Sequence, residues 1–170
     1  MFHLQQTLHM DILHGNNANN GLTPQTPVQT MATAYSKLPG TGTTNSNIIV
    51  IMGSCTDTAY LGSTGVIQTS VATPNDPNYS KQATITGIYG GIDYHSQLSF
   101  GGTIITGQGI NAKYLSAPTV FQYINLVGVG GSSPTNFYLQ GNKMTFGEGV
   151  VMTNYPSVAM ATDELRINKN

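Results

Sequence analysis

The first thirteen residues alternate between apolar and polar. Phe2, Leu4, Leu8, Met10 and Ile12 fall on one parity, while His3, Gln5, Thr7, His9 and Asp11 fall on the other. A period of two is the mark of a β-strand with one buried face. A helical stripe would take in Leu4, Leu8 and Ile12 but leave Phe2 and Met10 off it, so the strand accounts for more of the pattern. Residues 15–30 follow with an Asn-rich run and with Pro24 and Pro27, neither periodic nor apolar, which is the composition of a linker. The two segments together predict an N-terminal arm and linker over residues 1–30, set off from a folded body over residues 31–170.

Beyond Pro39-Gly40 the body reads as short β segments between Gly, Pro and Asn punctuation. Residues 47–52 hold a continuous Ile-Ile-Val-Ile run suited to a central strand covered on both faces. Residues 66–71 form another candidate, closed by the turn signal Pro74-Asn75-Asp76-Pro77. Residues 81–89 and 92–100 alternate on either side of Gly90-Gly91 and predict a hairpin. Residues 119–129 are long and apolar. Residues 136–139 and 143–146 flank Gln140-Gly141-Asn142, read as a tight turn, and residues 156–167 fit either a strand pair or one short helix. Helical periodicity is otherwise nearly absent and no repeat of fixed period emerges, which disfavours a propeller or solenoid. The expected fold is all-β: a single-domain antiparallel β-sandwich or jelly-roll barrel carrying the strand-like arm.

Charge changes the picture more than length does. Asp, Glu, Lys and Arg make up 8% of the 170 residues, against about 25% in ordinary globular chains. Neutral polar residues and 20 glycines take their place. The net charge is −1 and the six cations are dispersed, so the clustered Lys/Arg that neutralise phosphates are missing and no direct nucleic-acid contact is expected. The longest aliphatic run, residues 48–52, is far short of the roughly 20 residues that span a bilayer as a helix. The opening residues lack the basic and apolar regions of a secretory signal. Cys55 is alone, so no internal disulfide is expected.

Candidate chemistry is sparse. Cys55, with Asp93 and His95 two residues apart on one strand face, could compose a nucleophilic set, but nothing beside Cys55 would activate a thiolate. His3 and His9 share a strand face at a separation of roughly 20 Å, too far for one ion. His9 and His14 have nothing to orient them. Asp163 and Glu164 are adjacent and would face opposite ways on a strand. Gly40-x-Gly42 and Gly128-x-Gly130 lack the third glycine and the helix of a dinucleotide loop. Asn78-Tyr79-Ser80 is a formal glycosylation sequon, of use only in a secreted chain. No catalytic residue, metal or cofactor is therefore expected, and an enzyme is not.

The arm, the linker and the β series from Ile48 to Met152 give the whole chain a pattern that resembles the small single jelly-roll capsid proteins of icosahedral viruses. That resemblance implies two four-stranded sheets packed face to face, contacts with further copies or other virion subunits, and arms exchanged between neighbours. The expected function is thus a structural, self-assembling subunit located in a virion. Its interface residues would be Phe2, Leu4, Leu8, Met10 and Ile12 on the arm's apolar face. Two alternatives fit the same composition: an extracellular or cell-surface filament or layer subunit that donates its arm to a neighbour's sheet, and a carbohydrate-binding β-sandwich module using its Tyr and Asn side chains.

Overall fold

The computed structural model describes residues 5–39, 42–56, 81–94, 96–100, 114–115, 119–128, 136–153 and 157–167. Within them the chain forms, in order, β1 (Thr7–Met10), α1 (Met31–Lys37), β2 (Gly42–Ile51), β3 (Ser54–Thr56), β4 (Lys81–Thr86), β5 (Ile88–Tyr89), β6 (Ile92–Asp93), β7 (Gln97–Phe100), β8 (Tyr114–Leu115), β9 (Thr119–Gln122), β10 (Asn125–Gly128), β11 (Asn136–Phe146), β12 (Val151–Thr153) and β13 (Ser157–Ile167). The predicted strands at residues 66–71 and the sequon at 78–80 lie outside the described residues.

The strands pair in a way that overturns the antiparallel sandwich. β1, β2, β4, β9, β11 and β13 lie side by side in that order, each neighbouring pair parallel, and β8 joins β11 beside β9. A second sheet runs β3, β7, β10, β12 and is also parallel throughout. From β2 onward the chain visits the first sheet, then the second, then the first again, and each return lands one strand further along both. Parallel neighbours cannot be joined by a tight turn and need a crossover. Here the second sheet and the return segment supply it, so the path is a coil of stacked rungs, a β-solenoid, and not a jelly roll. Among the described residues the antiparallel pairing is confined to β5 and β6.

The rungs are held in register by rows of inward-facing side chains. One row runs Leu8, Ile49, Ile85, Phe121, Phe146 and Ile167 across successive strands of the first sheet. Its members from Leu8 to Phe121 are fully buried and Phe146 is 6% exposed. The Phe121 and Phe146 rings stack with centroids 5.4 Å apart and planes 10° from parallel, an offset arrangement that adds to their area burial. A one-residue slip would turn such a row to the outside, so its apolar continuity fixes the register. The expectation for residues 47–52 holds: β2 lies between β1 and β4, and Ile49, Val50 and Ile51 are all fully buried.

Three local expectations are corrected. Residues 136–146 form one continuous strand, with Gly141 paired to Thr162 and to Leu115 where a turn was expected. Residues 157–167 form one strand, paired along β11, and neither a helix nor a strand pair. The hairpin at Gly90-Gly91 exists but is only two residues deep on each side, because β4 and β7 then leave for different sheets.

The N-terminal end of the first sheet is closed. β1 lies on β2 of its own chain, and the segment read as a linker folds back over the outer edge of β1. Met10 bridges to Val28, the His9 N–H donates to the Gly21 carbonyl at 2.7 Å, and the Val28 N–H donates to the His9 carbonyl at 3.0 Å. The asparagines build the fold-back. Asn17 Oδ1 accepts from the N–H groups of Gln29 and Thr30, both at 3.0 Å, and Asn19 Nδ2 donates to the Pro27 carbonyl at 2.9 Å. Gly15 is needed where this segment crosses itself, since a Cβ there would lie 2.3 Å from the carbonyl oxygens of Asp11 and Val28. α1 follows, with Thr30 Oγ1 capping the Thr33 N–H at 3.3 Å. Its far end is held by Lys81, whose ammonium donates to the carbonyls of Tyr35, Ser36 and Leu38 at 3.0, 3.2 and 2.6 Å. Tyr35 is buried beneath this cap, and burial pushes its hydroxyl well above the usual tyrosine range.

Candidate functional site

The other end of the stack is where side chains of the core reach the surface. β13 is the last strand of the first sheet, and among the described residues its outer edge carries no strand. Ile167 continues the row of Phe146 but is 74% exposed, and Leu165 continues the row of fully buried Met144 but is 43% exposed. One rung therefore separates a dry core from an open one. An unpaired edge of this kind presents a row of backbone donors and acceptors.

Charge gathers at the same place. On the outward parity of β11 and β13, Lys143 Nζ lies 3.0 Å from Glu164 Oε2, and Arg166 Nε hydrogen-bonds the other oxygen of the same carboxylate. Hydrogen bonds from Lys143 and then Arg166 hold the Glu164 carboxyl below its ordinary range. Three of the chain's 13 formal charges thus meet on the outward face of two adjacent strands beside the open edge. They border a shallow cavity of about 200 Å³ over Val120 and Thr145.

A second feature lies at the corner between the sheets. Tyr123 is the one non-glycine residue with a positive φ, 47°, among the described residues, in a region that L-residues enter at a cost. Its N–H donates to the Glu148 carbonyl at 2.8 Å and its hydroxyl to Glu148 Oε2 at 2.6 Å, which raises the tyrosine's pKa. Gly149 sits under the ring with φ +69°, and a Cβ there would meet Tyr123 Cδ1 at 2.5 Å. Asp93, Ser96, Asn125 and Ile88 complete an open cleft of about 230 Å³.

Of the predicted arm residues, Phe2 and Leu4 lie outside the described residues. Leu8 and Met10 are fully buried in this chain's own core, and Ile12 packs against it. His9 is covered on the outer face of β1. Its Nδ1 is 3.3 Å from the Gly21 carbonyl, and its ring meets Tyr89 and Tyr94 edge-on at 6.0 and 6.5 Å. Desolvation lowers its pKa, partly offset by the Gly21 hydrogen bond. His14 pairs with Asp11 Oδ2 at 3.1 Å. Cys55 lies on β3 opposite Leu98, and Asp93 lies on β6; His95, like His3, lies outside the described residues, so the nucleophilic set is not assembled from them. No group of three metal-ligating side chains occurs among the described residues, and no described helix is long and apolar enough to cross a membrane. The open edge escaped sequence reasoning, although the polar Thr162-Asp163-Glu164 interrupting an apolar strand is the signal an edge leaves. Compared with protein-family models, with curated proteins and with solved structures, the chain matches none.

Proposed function

We propose that this chain is a structural, self-associating subunit whose work is done by its surfaces and not by chemistry, within a virion or, alternatively, an extracellular or cell-surface filament or layer. The observation that carries this reading is the unequal treatment of the two ends of the first sheet. One is closed by residues 11–30 and α1, while at the other the core rows surface at Leu165 and Ile167. Solenoid stacks need a terminal cap to stay apart, and an uncovered end invites a partner. The low charge supports the same reading: 13 formal charges over 8412 Å² leave broad neutral surface with little like-charge repulsion between copies. Arm exchange is not part of the proposal, because β1 fills the first place of its own sheet. Sedimentation or light scattering of the intact chain over a concentration series tests it. Association that grows with concentration is expected, and a monomer at every concentration would overturn the reading.

A second reading, binding of a neutral saccharide, is favoured by the corner cleft, where a strained Tyr123 is locked beside Asp93 and Asn125. Aromatic faces with convergent polar groups are what such ligands use. Calorimetric titration with a set of monosaccharides would detect it, and loss of any heat on Tyr123→Ala is the expected control.

A further inference from the structure

Resting on the self-association reading, we infer that the partner at the open end is a second copy of this chain, joined through β13 in an antiparallel pair centred on Leu165. The first step is symmetry. A head-to-tail stack would need β13 of one copy to add to the N-terminal end of the next, but there the outer edge of β1 is already occupied by Val28 and Gly21. In the first sheet, two open ends can meet only each other. Identical surfaces meeting in this way are related by a two-fold axis, which closes after two copies. A two-fold axis across a strand edge makes the new pair antiparallel.

The second step is register. Opposed residues in an antiparallel pair point to the same side of the sheet, so the two cores join only if an inward residue faces an inward one. The axis must therefore pass through a residue and not between two. An axis at Asp163, Glu164 or Arg166 would set that charge against its own copy, which is unfavourable directly across a pair. An axis at Thr162 sets Glu164 against Met160 and Arg166 against Val158 and makes no charge contact. The axis at Leu165 sets Leu165 against Leu165 and each Glu164 against Arg166 of the second copy, two complementary contacts on the outward face. It also covers Leu165, exposed at 43%, and sets Ile167, exposed at 74%, opposite Asp163 of the second copy. Arg166, whose side chain is 67% exposed, exchanges its own Glu164 for that of the second copy when the pair forms.

The charges supply a test that does not depend on disrupting the fold. Glu164→Arg places two arginines against two arginines across the axis, and Arg166→Glu places two glutamates against two glutamates. Each variant alone is expected to weaken dimerisation at least tenfold in sedimentation equilibrium. Mixed in equal amounts, the two variants complement one another and should form a heterodimer of near-native affinity, as should the double variant Glu164→Arg/Arg166→Glu with itself. Circular dichroism establishes that each variant is folded before it is compared. If the unaltered chain stays monomeric, the self-association reading itself fails. If it associates but the single variants associate equally well, or the mixture restores nothing, the reading stands and the β13 interface is wrong.

Discussion

Leu8 and Ile167 stand at opposite ends of one row, and truncating each to alanine should have very different costs. Leu8 is fully buried. It lies against Ile49 in register, and its Cδ2 is 3.1 Å from where a Cβ on Gly21 would stand, so the cap packs on it directly. Leu8→Ala removes three carbons worth about 0.8 kcal/mol each in transfer, and an incompletely collapsed cavity brings the total to about 3–4 kcal/mol. Ile167 is 74% exposed, and its truncation in the monomer should cost about 0.5 kcal/mol or less. With a urea dependence of about 2 kcal/mol per molar, Leu8→Ala should lower the unfolding midpoint by about 1.5–2 M and Ile167→Ala by about 0.3 M at most. Far-UV circular dichroism follows the melt. Amide exchange at Ile48 and Met52, which donate to the Gln6 and Met10 carbonyls at 2.9 and 2.8 Å, reports whether β1 has come away first. Equal midpoints for the two variants would refute the closed and open ends together.

Three further outcomes are expected. Because burial lowers the His9 pKa, the unfolded chain takes up the proton first, so stability should fall as pH drops through the ordinary imidazole value of 6.5; thermal melts of the unaltered chain against His9→Gln should show that part of the pH profile flattened in the variant. Gly149→Ala forces a Cβ into φ +69° and onto Tyr123, and should lower stability by about 1–3 kcal/mol in chemical denaturation, less in a Tyr123→Ala background. Lys81→Met removes the donor to three carbonyls at the end of α1 and should cost about 1–2 kcal/mol, with faster exchange of the α1 amides as the local signature.

Strand content was legible from the alternation, and so was the double-sided burial of β2, because Ile48 to Ile51 admits no polar face. The direction of pairing was not. A strand alternates in the same way whether its neighbour is parallel or antiparallel, and the same Gly and Asn punctuation serves a hairpin or a corner. The solenoid hid behind its own irregularity. Ile49, Ile85, Phe121, Phe146 and Ile167 occupy equivalent places yet recur after 36, 36, 25 and 21 residues, so no fixed period exists to be found. The asparagines of residues 16–20 looked like a linker because polar, aperiodic composition is common to flexible chain and to a cap built from side-chain-to-backbone hydrogen bonds. The corner cleft could not be foreseen, since the left-handed Tyr123 follows from the Glu148 and Gly149 turn one rung away.

The closed end leaves the ribosome before the open one. Chains grow at about 5–20 residues per second and fold from the N-terminal side as they emerge, so the cap and β2 can form while later rungs are still unmade. β9, β11 and β13 then each find a neighbour already in place, and pair with chain only 21–36 residues behind them. The growing edge acts as a template that is renewed at each rung, and β13, made after the other described strands, inherits the edge.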